Sequence, residues 1–353
     1  IKAAASLSHL IYEDDFERCT FQYPMQSAIK IKHIPHSKGQ FSTLAIVDDS
    51  EGSIGAAYIV FRGTKNLTDI IVDACAVPQP WSHGLSLHSA MKTIIDNDMK
   101  KHVTYFKEIF EKCGNLLILT GHSLGAGYAS VAYLQFTQHS MFKELMTTRE
   151  VQLKVVAFAG PMVISPCSEA HREPARGVLA DLTENHYNFV FENDVVPRLP
   201  TVDLLQHLDQ GQTTTVDDFL KENVRSKVLD SVDGIFAGFI VGKALGSYGA
   251  DVYNSLVNAV KNLPPYQHYA SIIWIKGSGK EQKLNRVTAA TDLVFSSERH
   301  RAKPASALAD HSVKGYLEAI DTAILLRSHQ RELARFVVES PSQSRLGKLI
   351  CYP

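Results

Sequence analysis

Short apolar runs alternate with stretches of helical periodicity along most of the chain. Apolar runs of this length predict buried strands, whereas apolar positions three and four residues apart predict helices. The predicted strands are Thr43–Val47, Ala57–Phe61, Leu116–Leu119, Val155–Phe158, Phe189–Phe191 and Ile272–Ile275. The predicted helices are His88–Phe110, Leu124–Phe136 and Ala309–Leu326. This alternation predicts an α/β fold with a mostly parallel central sheet flanked by helices.

One long segment interrupts the alternation. Residues 201–263 contain no convincing strand, and their polar first half is followed by an apolar stretch with glycines at every fourth position, namely Gly234, Gly238, Gly242 and Gly246. Such glycines form one smooth stripe on a helix, which packs closely on another backbone. We therefore expect a helical insertion within a single domain spanning residues 1–353, with residues 328–353 as a peripheral charged tail.

Composition and charge narrow the class of protein. The chain is 45% hydrophobic and 21% charged, with a formal net charge of -1, which is typical of a soluble globular protein. Nucleic-acid binding needs a cationic excess, so no nucleic-acid partner is expected. The five cysteines include no C-x-x-C pair, which argues against a metal cage and a dense disulfide framework. A start at Ile1 rather than methionine is compatible with a removed leader.

The segment "TGHSLGAG" holds a serine, Ser123, between Gly121 and Gly125. A G-x-S-x-G pattern alone is weak, and a glycine-rich turn with an incidental serine is the plain alternative. Here a predicted strand precedes the pattern and a predicted helix follows it, so the turn would strain the backbone and expose the hydroxyl. We therefore predict that Ser123 is a nucleophile and that the Leu124 N–H, at the start of the helix, stabilises an oxyanion.

A nucleophilic serine needs a histidine base and an acid that orients it, and on this type of sheet they follow the serine in the order acid, histidine. Asp194 follows the strand in "YNFVFENDVVPRLP" and is the predicted acid; weaker alternatives are Asp181, Asp203 and Asp209. Two histidines compete for the role of base. His311 opens a predicted helix and is favoured over His268, which leads into a strand. The histidines before Asp194, including His122 beside the serine, have the wrong chain order.

An earlier strand ends in "FRGT", which places Thr64 just after a turn. Its N–H and hydroxyl could serve the same oxyanion as Leu124. Taken alone, the pattern favours an ordinary Gly-Thr turn.

In this order, "FRGT", "LHSAM", "TGHSLGAG", "VVAFAGPMV", "FENDVVPRLP" and "DHSVKGY" resemble the class 3 (fungal-type) lipases of the α/β-hydrolase superfamily. The resemblance is close from Ala57 to Pro200 and looser from His268 to Tyr316. It implies Ser123 as nucleophile, Asp194 as acid and His311 as base. It also implies Thr64 and Leu124 as oxyanion donors, and a short amphipathic lid over Leu67–Trp81.

The function that follows is a serine ester hydrolase acting on acylglycerols or related lipids at a lipid–water interface, with peripheral membrane contact. It requires no metal and no organic cofactor. A phospholipase A, a galactolipase and an acyltransferase use the same groups, and a non-catalytic lipase-like scaffold is the rival from another class. The secreted relatives' disulfide pattern is not evident. We therefore expect an intracellular protein, cytoplasmic or peripherally membrane-associated, without excluding secretion.

Overall fold

The computed structural model describes residues 1–12, 29–35, 41–48, 54–63, 78–166, 172–191, 194, 196–198, 266, 268–276, 283–287, 311–320 and 322. The predicted insertion at 201–263 and the predicted tail at 328–353 lie outside the described residues. Thr64 and most of the predicted lid also lie outside them.

Within the described residues, the strands are β1 Ile29–Pro35, β2 Phe41–Asp48, β3 Ile54–Phe61, β4 Pro78–Pro80, β5 Leu85–His88, β6 Leu116–His122, β7 Gln152–Phe158, β8 Ile164–Pro166, β9 His186–Phe191, β10 Ser271–Lys276 and β11 Lys283–Val287. Eight of them form one sheet in the order β1-β2-β3-β6-β7-β9-β10-β11. The middle of this sheet, from β3 to β10, is parallel, and the pairs at its two ends are antiparallel. The strands β4, β5 and β8 form a small antiparallel sheet.

The helices of the described chain are α1 Lys2–Leu10, α2 Ser89–Lys112, α3 Leu124–Gln138, α4 Ser140–Thr148, α5 Arg172–Asn185 and α6 over residues 313–320. Alternate residues of the central strands serve opposite faces of the sheet, as the pleat requires. On β6, Leu117 and Leu119 pack in the same core as α2 and α3, whereas Ile118 packs in the core that contains α1 and α6. Helices therefore cover both faces, which explains why β6 reads as a continuous apolar run.

The predicted fold class is confirmed by this layered, mostly parallel sheet. All six predicted strands lie within observed strands. The sequence analysis did not predict α1, a nine-residue helix. The helix is short and its buried side is made largely of small residues, including Ala4 and Ala5, so it has few large apolar positions. Small side chains nonetheless let this helix lie close against the sheet beneath it.

The topology determines where chemistry can occur. The strands β6 and β9 are both parallel to β7, so their carboxyl ends meet at one edge of the sheet. In open α/β sheets, sites form at this edge because the loops that leave the strands converge there. Ser123 directly follows β6, and Asp194 follows β9 by three residues.

Candidate active site

Ser123 lies at a sharp turn between β6 and α3. Its backbone has φ 61° and ψ -128°, a conformation that a residue with a Cβ adopts rarely. The turn is fixed from both sides: the Ser123 N–H donates to the Phe158 carbonyl at 2.9 Å, and the Ser123 carbonyl accepts from Ala126 N–H at 3.0 Å. These bonds hold a strained residue in place, as is typical of a nucleophile positioned by a strand–turn–helix.

The two glycines that flank the serine are required by space. A Cβ on Gly121 would lie 2.5 Å from the carbonyl carbon of Gly125 and 2.8 Å from the Phe61 oxygen. A Cβ on Gly125 would overlap the same Phe61 oxygen and lie 2.8 Å from the Gly63 nitrogen. Atoms this close would have to move, so only glycine lets the end of β3 approach the turn.

Asp194 is fully buried, and its carboxylate accepts hydrogen bonds from three directions. The Val196 N–H donates to Oδ1 at 2.9 Å, and the Tyr316 hydroxyl donates to Oδ2 at 2.7 Å. The His311 Nδ1 lies 3.0 Å from both oxygens. A buried carboxylate is stable only when its oxygens are paired in this way.

His311 connects Asp194 to Ser123. Its Nε2 lies 2.9 Å from the Ser123 Oγ, while its Nδ1 faces Asp194. Because a carboxylate can only accept, Nδ1 carries a proton and Nε2 is left to accept the hydroxyl proton of Ser123. The side chain of His311 is 11% exposed, whereas that of Asp194 is fully buried. Serine, imidazole and carboxylate therefore form one continuous hydrogen-bonded chain.

The sequence analysis set His122 aside, but the structure places it against the base. Its ring centroid lies 4.7 Å from that of His311, with 35° between the planes. Burial, and then the charge of His311, hold the pKa of His122 well below 6.5, although the His311 backbone opposes this shift. His122 is thus a neutral ring packed beside His311.

The N-terminal helix reaches the same place through Tyr12. Its hydroxyl lies 3.3 Å from the His122 Nδ1 and donates to the His122 carbonyl at 3.3 Å. A Cβ on Gly63 would collide with this hydroxyl and lie 2.6 Å from the His122 carbonyl oxygen. Tyr12, after α1, therefore packs against both the serine turn and the end of β3.

Of the two predicted oxyanion donors, only Leu124 lies within the described residues. Leu124 is the first residue of α3 after Ser123, so its N–H belongs to the helical groups that have no intrahelical acceptor. Thr64 lies outside the described residues, but its neighbour Gly63 lies beside the turn, close to Gly125.

Two of the alternative residues, His268 and Asp181, have other described partners. The His268 Nε2 contacts the Pro197 carbonyl oxygen, and burial lowers the pKa of His268 to about 4. Asp181 lies on α5, where it accepts from the Tyr133 hydroxyl at 2.6 Å. Asp203 and Asp209 lie outside the described residues.

The sequence reasoning missed Tyr316, His122 and Tyr12. Tyr316 ends the quoted "DHSVKGY" and His122 precedes Ser123, but their contacts join elements that are far apart in the chain, and no local pattern predicts those contacts. Within the described part of the chain, no group of three or more His, Cys, Asp or Glu side chains is arranged to hold a metal ion. No helix among the described residues is both long and apolar enough to cross a membrane.

The chain was compared with known proteins in sequence and in structure. No curated protein sequence is significantly similar to the chain. A deletion mutant of the Rhizomucor miehei lipase propeptide complex is similar in structure, with a TM-score of 0.48 and 18% identity over 80% of this chain and 66% of that chain. A lipase from Rhizopus microsporus var. chinensis has a TM-score of 0.46 and 17% identity over 80% of this chain and 72% of its own.

A third structure is a triacylglycerol lipase whose catalytic centre is a serine protease triad; its TM-score is 0.49, with 16% identity over 84% of this chain and 90% of that chain. In sequence, residues 58–204 match the family model of the class 3 lipases. This segment contains Ser123 and Asp194. The predicted resemblance to the class 3 lipases is therefore confirmed over residues 58–204, and this match supports the predicted enzyme class, a lipase-type ester hydrolase.

Proposed function

We propose that the protein hydrolyses acyl esters of lipids through an acyl-enzyme formed on Ser123. The observation that carries this proposal is the unbroken hydrogen-bonded chain from Ser123 Oγ through His311 to the buried Asp194, with the serine at a strained turn. A serine hydroxyl is a poor nucleophile until a base accepts its proton, and this arrangement supplies that base in the correct tautomer.

In the proposed reaction, Ser123 Oγ attacks the ester carbonyl while its proton passes to His311 Nε2. Asp194 stabilises the imidazolium that results. The Leu124 N–H, with Thr64 as the proposed second donor, stabilises the oxyanion of the tetrahedral intermediate. Collapse of this intermediate releases the alcohol, which takes the proton from His311. Water then attacks the acyl-enzyme by the same steps and releases the fatty acid.

The substrate class rests on the family of residues 58–204, whose members are lipases. We propose acylglycerols or related lipids presented at a lipid–water interface. A phospholipase A or a galactolipase would use the same side chains, because the head group does not take part in the proton transfers. Substrate choice is therefore tested directly with emulsified mono-, di- and triacylglycerols, phosphatidylcholine and a galactolipid, beside a short soluble ester.

A fluorophosphonate probe tests the nucleophile without knowledge of the substrate. The probe bonds to an activated serine, and intact-mass analysis counts the addition. We expect one addition on the wild-type chain and none on Ser123→Ala, whose substitution removes the nucleophile and little volume.

Ser130→Ala is the matched control, because Ser130 is also a buried serine close to a histidine, His186, at 3.4 Å. We expect this variant to be labelled like the wild type. A wild-type chain that stays unlabelled and hydrolyses none of these esters would identify the protein as a scaffold.

A further inference from the structure

Tyr316 is buried at the acid end of the hydrogen-bonded chain, and its hydroxyl is fixed in direction. The Phe191 N–H lies 2.8 Å from the Tyr316 oxygen, and that oxygen lies 2.7 Å from Asp194 Oδ2. A backbone N–H can only donate, so the Tyr316 oxygen accepts from Phe191. Its own proton is therefore directed at the carboxylate.

The location of Tyr316 in the chain gives this bond its significance. His311 and Tyr316 belong to the same segment: His311 lies two residues before α6 and Tyr316 lies within it, whereas Asp194 follows β9. One bond from Tyr316 therefore joins the segment of the base to the end of the strand that carries the acid. Its ring packs against Phe191 and His122, with centroids 5.8 Å and 5.7 Å away.

We propose that Tyr316 is a positioning residue that holds the Asp194 carboxylate toward His311 and sets how readily this pair takes up a proton. The proposal rests on the proposed function, since it concerns the acid and base of that reaction. In this proposal Tyr316 acts on the reaction through its hydrogen bond to Asp194.

The direction of the effect on proton uptake follows from charge. Without an added proton the Asp194–His311 pair carries one negative charge, and with it the pair is neutral overall. A hydroxyl that donates to the carboxylate stabilises the anionic form more than the neutral one. Removing that donor therefore makes the pair take up its proton at higher pH.

Other ionisable groups around the pair set the background for this effect. His122 on β6 and Tyr12 after α1 are both buried, and burial raises the pKa of Tyr12. Among the described residues, His9 acts on His122 and Arg62 acts on Tyr12 through their charges, and α6 carries Lys314 and Glu318. Lys314 and Glu318 pair with each other on the exposed side of α6. A Tyr316→Phe substitution changes none of these groups.

The structure offers a matched control for a merely structural role. Tyr133 is also buried and also donates to an aspartate, with its hydroxyl 2.6 Å from Asp181 Oδ2. Tyr133→Phe thus removes the same kind of bond from a place remote from the proposed chemistry. If Tyr316 only held the fold together, the two variants would behave alike.

The experiment measures the rate of fluorophosphonate labelling of Ser123 from pH 5 to 9 in the wild type, Tyr316→Phe and Tyr133→Phe. For Tyr316→Phe we expect a plateau rate about tenfold lower and an acid-side midpoint about 0.5 to 1 pH unit higher. For Tyr133→Phe we expect rate and midpoint to match the wild type. Equal midpoints in all three proteins overturn the proposal, whereas an unlabelled wild type overturns the proposed function instead.

A second replacement keeps the test decisive if Tyr316→Phe does not fold. Fluorotyrosine at position 316 preserves the shape of the side chain and is a stronger hydrogen-bond donor. We expect it to move the acid-side midpoint to lower pH, opposite to the effect of phenylalanine. A midpoint that stays unchanged or moves to higher pH overturns the proposal.

Discussion

The molecule contains two sets of the same four residue types. At the sheet edge, Ser123, His311, Asp194 and Tyr316 are joined in one chain of hydrogen bonds. Between α3 and α5 a second set, made of Ser130, His186, Tyr133 and Asp181, is arranged differently. The Ser130 hydroxyl donates to the Ala126 carbonyl at 2.9 Å, and His186 Nε2 lies 3.4 Å from it.

In the second set, the aspartate does not hydrogen-bond the histidine. Asp181 accepts from Tyr133 and from the Asn185 side chain, and the Nδ1 of His186 is buried without a hydrogen-bond partner in the structure. Burial lowers the pKa of His186 to about 3, so it is a weak base. Proximity of these residue types is thus not sufficient to activate a serine. The aspartate must orient the histidine, and the histidine must face a serine that a turn exposes.

The largest expected effect separates the histidines. His311→Ala removes the imidazole whose Nε2 lies 2.9 Å from Ser123 Oγ and which we propose as the base, so kcat/KM on a soluble ester should fall about 10⁴-fold or more. His186→Ala and His268→Ala should change kcat/KM about tenfold at most, through stability. Ester hydrolysis by each folded variant, verified by circular dichroism, measures the difference. Loss of activity in His268→Ala with retention in His311→Ala would reverse the assignment of the base.

Substitution of the two aspartates should produce the next largest difference in activity. Asp194→Asn keeps the shape of the side chain but turns a pure acceptor into a partial donor, which favours the wrong tautomer of His311. A fall in kcat of about 10³- to 10⁴-fold is expected. Asp181→Asn retains an acceptor for Tyr133 and should leave kcat within about threefold of the wild type. Comparable losses in the two variants would mean that Asp194 has no special role.

The next effect contrasts two glycines. Gly125→Ala forces a Cβ onto the Phe61 oxygen at the serine turn, so we expect unfolding to become easier by about 2 kcal/mol or more. Gly177 lies on α5 with nothing within 4 Å of its added Cβ. Gly177→Ala should therefore stabilise the protein by about 0.5 to 1 kcal/mol. Urea unfolding of both variants measures the two signs. A neutral Gly125→Ala would show that the turn has room that the structure does not indicate.

The smallest expected effect concerns acid stability. Burial lowers the pKa of His88 to about 4 and of His186 to about 3. The unfolded chain binds protons at these histidines below about pH 6.5, whereas the folded chain does not. The contribution of these neutral histidines to the free energy of unfolding is therefore complete above about pH 6.5 and decreases as the pH falls toward 4. Each such histidine contributes a loss of about 1 kcal/mol between pH 7.5 and 5.5.

Thermal unfolding at pH 7.5 and 5.5 measures this loss, and His186→Leu supplies the comparison. Because leucine cannot take up a proton, the variant should lose less stability between the two pH values than the wild type. An equal loss would show that His186 does not contribute to the acid sensitivity.

The sequence by itself determined the elements whose signal is local. The strand, the glycines and the helix around Ser123 all lie within a short stretch, because the strained turn needs them next to each other. The order of strands and helices also predicted the parallel sheet, since a strand that is buried on both faces is a continuous apolar run in the sequence.

The tertiary structure decided which distant residues meet. His311 is separated from Ser123 by 188 positions, and Tyr316 from Asp194 by 122, so chain order could favour these residues only weakly or not at all. Tyr12 and His122 lie 110 positions apart, and their contact depends on how α1 covers one face of the sheet. A local pattern cannot encode such a contact, because it results from packing elements against one another.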